Sequence, residues 1–314
     1  METLPVIAPI DALSVISEST RRYAEESRSK ATHDAYAADL KAFYNWGGQI
    51  PATPAEVADF LSWCADWGYA AATIQRRLSA ISQAHEALGV ENPTRAEGVH
   101  RTHKGIRRAL GTATVMKSAI TSSDLRSYFA SINGDLRAVR DRSILTIGLA
   151  GAFRRSELAA LQVEDLEETA EGYRVIVRRS KTDQEGRGQI KVIVYGQDPA
   201  TCPVLLLRTW LARAGIEAGP IFRPVNKSGV VGDRALSGRS VADIVKSCAG
   251  SLGKDPATFS GHSLRRGFVT EASHAGAQIQ EIMEQTGHKS FQTVRGYIES
   301  SKTSKGNAVT ALGL

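Results

Sequence analysis

Apolar positions recur every three to four residues through the first third of the chain. In "THDAYAADLKAFYNWG" the stripe is Tyr36, Leu40, Phe43 and Trp46, with Thr32 as the expected N-cap. "TPAEVADFLSWCADWG" opens on Thr53-Pro54, continues with Val57, Phe60, Leu61 and Cys64, and stops at Gly68. In "AATIQRRLSAISQAHEALG" the stripe is Ile74, Leu78, Ile81 and Leu88, which leaves Gln75, Arg76 and Arg77 off it. A basic helix, "TRAEGVHRTHKGIRRALG", comes next and ends at Gly111. The pattern predicts an all-helical module of four or five helices.

Periodicity lapses in "GTATVMKS", Gly111–Ser118, which reads as an interdomain linker. A capping pair, Thr121 and Asp124, then restarts a helix in "TSSDLRSYFASI". "AVRDRSILTIGLAGAFRRSELAAL" reads as one largely buried helical stretch. Beyond it the period falls to two. "YRVIVRR" and "QIKVIVYG" alternate around the turn-rich "SKTDQEGRG", so Tyr173–Tyr195 is expected to be a β-hairpin. Helical spacing returns in "PVLLLRTWLARAG", "SVADIVKSCAGSLG", "HSLRRGFVTEASHAG", "AQIQEIMEQTG" and "SFQTVRGYIES". The expected fold is mainly α with a small antiparallel β-sheet in the C-terminal domain. Its parts are a flexible segment at 1–20, a helical domain at 21–110, the linker at 111–118 and a second domain at 119–314.

At 314 residues the chain is long enough for two such cores, and 42% hydrophobic with 23% charged residues is ordinary for a globular protein. No apolar run is long enough to span a bilayer, and the first residues lack a basic start followed by an apolar stretch, so neither membrane nor export is expected. Cys64, Cys202 and Cys248 stand apart from one another, as buried thiols in a reducing cytoplasm do. The net charge of +6 is uneven: residues 1–75 carry ten acidic against five basic side chains, and residues 76–108 three against seven. Such a basic region suits a polyanion, because docked lysines and arginines release its condensed counterions. A solvated basic face accounts for the charge equally well.

The remaining polar residues raise a chemical question. Between Gly261 and Ser300 lie two Gly-His pairs, a His262-x-x-Arg265 and Tyr297, nine residues past His288. On a helix, His262 and Arg265 fall on nearly the same side. Upstream, "FRRSEL" sets Arg154 three residues before Glu157. Buried charge is costly unless paired, whereas guanidinium offers two parallel donors to a phosphate. Taken singly, each residue has an ordinary reading: a surface ion pair for either arginine, a solvated turn lysine for Lys181, a capping histidine for His288 and a half-buried helical tyrosine for Tyr297. No carboxylate cluster of the kind that holds two magnesium ions is visible; Glu281 and Glu284 fit a solvated face.

Taken in order, "RRSEL", "SKT", "GHSLRR", "TGHKS" and "VRGYI" resemble the signature of the tyrosine site-specific recombinase (phage integrase) family. "TIQRRLSAISQAHEALGV" and "IQEIMEQTGHKSFQTVRGYI" look most like its Cre subgroup, and the resemblance runs from Thr32 to Leu312. It implies a C-shaped, two-domain clamp on double-stranded DNA, a site of inverted repeats, and a homotetramer on two such sites. The helical module would bind DNA, with Gln75, Arg76 and Arg77 as candidate contacts, and "SKGNAVTALGL" resembles a terminal helix that docks on a neighbour.

It also implies roles. Tyr297 attacks to form a 3′-phosphotyrosyl bond, Arg154 and Arg265 hold the phosphate, and His288 supports the same oxygens. Lys181 is the general acid, His262 assists proton transfer and Glu157 buttresses the site. Arg154 is preferred to Arg155 because the family pattern sets the arginine three before the acidic residue. No metal, cofactor or ATP is expected, and a cytoplasmic protein of bacterial, plasmid or phage origin is implied. A type IB topoisomerase shares the tyrosine chemistry, and a non-catalytic DNA-binding regulator could share the scaffold. The recombinase-like N-terminal module and terminal segment argue against the first, and the intact residue set against the second.

Overall fold

The computed structural model describes residues 17–27, 29–112, 116–132, 134–178 and 188–299. The chain packs as two compact units, Met1–Val115 and Met116–Leu314. In the first, α1 (Glu18–Glu26) is followed by α2 (Lys30–Trp46), α3 (Pro54–Asp66), α4 (Ala71–Ala87) and α5 (Glu97–Leu110). The expected flexible segment at 1–20 therefore overlaps α1; its residues 1–16 lie outside the described residues.

Local chemistry sets these boundaries. Thr53 and Glu56 cap α3 reciprocally, with Thr53 N donating to the Glu56 carboxylate at 2.7 Å and Glu56 N to the Thr53 hydroxyl at 3.2 Å. The cap of α2 is Ser29, not Thr32: the Ser29 hydroxyl accepts from Thr32 N, so the helix starts one residue after the serine. Phe43, Val57, Phe60, Leu61, Ile74, Ile81 and Val99 form the core of this unit. Arg77, expected off the buried stripe, is turned into it at 7% exposure. Its guanidinium stacks 3.9 Å from the Tyr69 ring centre and donates to Cys64 Sγ at 3.0 Å.

The second unit comprises α6 (Ser122–Ser131), α7 (Leu136–Ala150), α8 (Arg155–Ala160), strands β1 (Leu166–Thr169), β2 (Gly172–Val177) and β3 (Gln189–Val194), then α9 (Pro203–Ala214), α10 (Gly238–Ser251), α11 (His262–His274), α12 (Ile279–Thr286) and α13 (Phe291–Glu299). Strands β2 and β3 pair antiparallel, the hairpin expected over Tyr173–Tyr195, with Tyr173 opposite Ile193 and Val175 opposite Lys191. The third strand, β1, escapes that reading because "LEET" has no apolar alternation; β2 supplies its ladder. Helix α7 runs through the core, with Ile144, Leu145 and Ile147 at most 1% exposed. Among the described residues, no helix is long and apolar enough to cross a membrane.

A break in the helix and a close packing contact shape the region around Arg154 and Arg265. The stretch read as one helix breaks after α7, where Ala152 adopts φ 46° and the chain turns before α8. Helix α11 meets the segment before α6 at Gly267, where a Cβ would lie 1.8 Å from the Ile120 carbonyl oxygen. That obstacle is backbone and cannot rotate away. Gly267→Ala is expected to lower unfolding free energy by about 3 kcal/mol, read as an earlier chemical-denaturation midpoint.

Candidate active site

The turn after α7 builds half of the site. Arg154 stands at the N-cap of α8, and Glu157 closes back on it: Arg154 N donates to one carboxylate oxygen at 2.9 Å and Arg154 Nη1 to the other at 2.6 Å. Glu157 is buried, and both its oxygens are taken by this arginine. The pairing fixes the guanidinium's direction.

Helix α11 supplies the next group. Arg265 is 4% exposed and lies one turn into the helix that His262 opens. Its Nη1 donates to the Ala152 carbonyl at 3.0 Å, and its Nη2 lies 3.0 Å from His288 Nε2. The unusual φ of Ala152 thus turns a carbonyl toward the arginine. His288 comes directly after Gly287, which ends α12 in the left-handed region at φ 66°.

The hydrogen bonds also fix the tautomer of His288. Guanidinium can only donate, so Nε2 accepts and the proton sits on Nδ1, which donates to Thr286 Oγ1 at 2.7 Å. Thr286 Oγ1 in turn donates to the Ile282 carbonyl at 2.6 Å. Burial, then the nearby charges of Arg265, Arg154 and Lys191, push the His288 pKa down to about 4.

Titration of His288 has a definite sign. In the unfolded chain imidazole protonates near ~6.5, whereas in the folded protein it waits until about 4. Stability is therefore lost as pH falls through that window and levels off below it. Long-range nitrogen–proton NMR should show one imidazole titrating near 4 in the free protein. A bound phosphate diester, adding negative charge, should move that midpoint upward.

A further ionisable group, which the sequence pattern did not single out, lies among these. Lys191 on β3 is fully buried, and burial lowers its pKa to about 7, helped by Arg265 and Arg154 and opposed by Glu157. The alternation pointed the other way: the apolar phase of β3, Ile190, Val192 and Val194, faces outward, while Lys191 and Ile193 face inward.

His262 is exposed at the start of α11, where its N donates to Ser260 Oγ at 3.2 Å. Tyr297 belongs to α13, whose Val294 packs with Val269 of α11 and Ile282 of α12; the tyrosine side chain itself is not among the described parts of the helix. Lys181 lies outside the described residues, as does the segment "SKGNAVTALGL". In the first unit Gln75 and Arg76 are exposed, but Arg76 is held by Asp39 at 2.6 and 3.0 Å, and Arg77 is enclosed. The three cysteines are buried and free. Among the described residues no group of three His, Cys, Asp or Glu side chains could hold a metal ion.

Two oriented guanidiniums with an imidazole beside them, drawn from three segments of a helical unit, are an arrangement that can donate hydrogen bonds to an oxyanion. The chain matches the phage integrase family over residues 118–304 and the phage integrase N-terminal SAM-like domain over residues 22–92. It belongs to the phage integrase family. It is 37% identical over 306 residues to an integrase/recombinase XerD homolog of Selenomonas ruminantium, covering 95% of this chain and 89% of that protein. The Cre recombinase of Escherichia phage P1 is 26% identical over 282 residues, covering 84% and 80%. The expected Cre subgroup therefore broadens to the family as a whole. Among solved structures, the XerH site-specific recombinase bound to a palindromic difH substrate, in a post-cleavage complex, shares the fold with a TM-score of 0.62 at 18% identity, over 90% of this chain and 80% of that one. The Tn1549 transposon integrase in complex with transposon right-end DNA gives 0.61 at 14% identity, over 94% and 96%.

Proposed function

We propose that this protein is a site-specific DNA recombinase that cuts and rejoins strands through a 3′-phosphotyrosyl intermediate. The observation that carries this reading is the meeting of Arg154, Arg265 and His288 in a chain of the phage integrase family. Tyr297 Oη attacks the phosphorus of a DNA phosphodiester; the P–O bond to Tyr297 forms and the bond to the 5′ oxygen breaks. Lys181 gives the departing oxygen its proton, and His262 assists removal of the phenolic proton. Arg154 and Arg265 meet the charge that builds on the two non-bridging oxygens. As the phosphate arrives, His288 takes a proton from solvent onto Nε2, which gives up its contact with Arg265 Nη2 and donates to a phosphate oxygen. The new bond conserves the energy of the old one, so a 5′-hydroxyl from another duplex reverses the step without ATP, metal or cofactor.

The remaining features complete the reading. Both units bind double-stranded DNA, and four protomers join two inverted-repeat sites in the cytoplasm. The segment "SKGNAVTALGL" docks each protomer on its neighbour.

A selection experiment finds the target site and tests the chemistry together. Full-length protein is incubated with a pool of nicked duplexes whose arms are randomised around a short spacer, then denatured. Protein-linked DNA is recovered and sequenced. Recovery of an inverted repeat joined through its 3′ phosphate, with a yield unaffected by chelator, is expected. No covalent product from the pool would sink the catalytic claim, and loss with chelator would refute the metal-free step.

A further inference from the structure

Lys191 has no part in the chemistry above, yet it is the least exposed charged side chain among the described residues. It stands on the inward face of β3, opposite Val175. Its Nζ donates to the Gly151 carbonyl at 2.8 Å and to the Gln285 carbonyl, and it lies 5.0 Å from the centre of the Phe153 ring. Gly151 and Phe153 belong to the turn that delivers Arg154. Gln285 sits in the last turn of α12, three residues before His288.

The bonds around it join the same segments. Gln285 Nε2 donates to the Ala150 carbonyl at 2.9 Å and to the Val192 carbonyl at 3.0 Å. Gln189 Nε2 donates to the Glu284 carbonyl at 2.7 Å. One strand thus fastens the C-terminal ends of α7 and α12 to each other. Helix C-termini present carbonyls without intrahelical donors and carry partial negative charge. Two such ends brought together need donors between them, and a cation with three N–H groups fits that need.

We propose that Lys191 is a positioning residue: it clasps the end of α7 to the end of α12 and so sets Arg154 and His288 at the separation the scissile phosphate requires. This rests on the reading of the site as a phosphodiester-cleaving centre. Lys191 acts through the backbone that carries the arginine and the histidine. The charged groups facing it are Glu157 and Arg154 from the α8 side and Arg265 from α11, with His288 beyond the end of α12. Burial lowers its pKa to about 7, so the ammonium is held between the helix ends against a desolvation cost.

A rate-against-affinity split tests the clasp, using full-length protein and the duplex that the wild type selects from the nicked, randomised pool. Lys191→Met keeps the bulk of the side chain and removes the ammonium. Its affinity for that duplex should stay within about threefold while single-turnover covalent capture slows by about 100-fold, the size of effect that a displacement of roughly 1 Å produces. A folding defect alone lowers the active fraction without slowing the molecules that bind. Should Lys191→Met not fold, Gln285→Met, at a half-buried position, breaks the strap from the other side and should slow capture by about tenfold. Wild-type capture rates in Lys191→Met, or in Gln285→Met where the first is unfolded, overturn the clasp and leave the tyrosine chemistry standing. Absence of covalent product from the wild type overturns both.

Discussion

Tyr297→Phe is expected to bind DNA as the wild type does and to form no covalent complex. The change removes one oxygen and leaves the ring, so the packing of α13, where Val294 meets Val269 and Ile282, is undisturbed. The chemistry has no substitute for that oxygen. A phenol ionises more readily than an alkyl hydroxyl, and attack requires it to be in line with the leaving 5′ oxygen. The check has two measurements on one duplex: equilibrium binding, expected within about twofold, and denaturing-gel capture on the nicked substrate, expected at background. Undiminished capture by Tyr297→Phe would falsify the assignment of the nucleophile. Loss of binding together with capture would instead assign Tyr297 to the interface with DNA.

How much of this site was legible in the sequence depends on how locally each part is determined. The caps at Thr53 and Thr121 involve residues three apart and were readable at once, as was the β2–β3 pairing from its alternation. The break between α7 and α8 was not. "GAFRR" carries no proline, and an alanine at φ 46° is selected by the Arg265 bond to its carbonyl, from 113 residues away in sequence. Arg77 was misplaced for a similar reason. A basic side chain in a helix normally reads as solvated, and only Tyr69, Cys64 and Asp39, gathered from three other positions, make its burial tolerable. Lys191 shows the same limit inside the site. Its neighbours in sequence describe a strand, whereas its partners are helix ends 40 and 94 residues away. The order of the motif residues indicated which side chains to consider, and non-local contacts decide which of them meet.

Arg265→Lys isolates that distinction between carrying charge and placing it. Arginine at this position does two things at once: Nη1 holds the Ala152 carbonyl and Nη2 faces His288. Lysine keeps the positive charge but offers a single nitrogen on a differently shaped stem, so it cannot span both contacts and still present a donor pair to phosphate. Removing one aligned transition-state donor typically lowers rate by ~10²–10³. Because Arg265 also anchors the turn that bears Arg154, the upper end is expected: single-turnover cleavage about 10³-fold slower, or about 4 kcal/mol of lost stabilisation. DNA affinity should fall far less, since net charge is unchanged. The control is one residue away. Arg266 donates to the Lys117 carbonyl at 2.8 Å, outside the site, and Arg266→Lys should cleave within about threefold of wild type. If the two substitutions slow cleavage equally, the effect belongs to α11 as a whole and not to the guanidinium of Arg265. If Arg265→Lys alone slows it, charge at the phosphate is insufficient, and the fork geometry held between Ala152 and His288 is what the reaction uses.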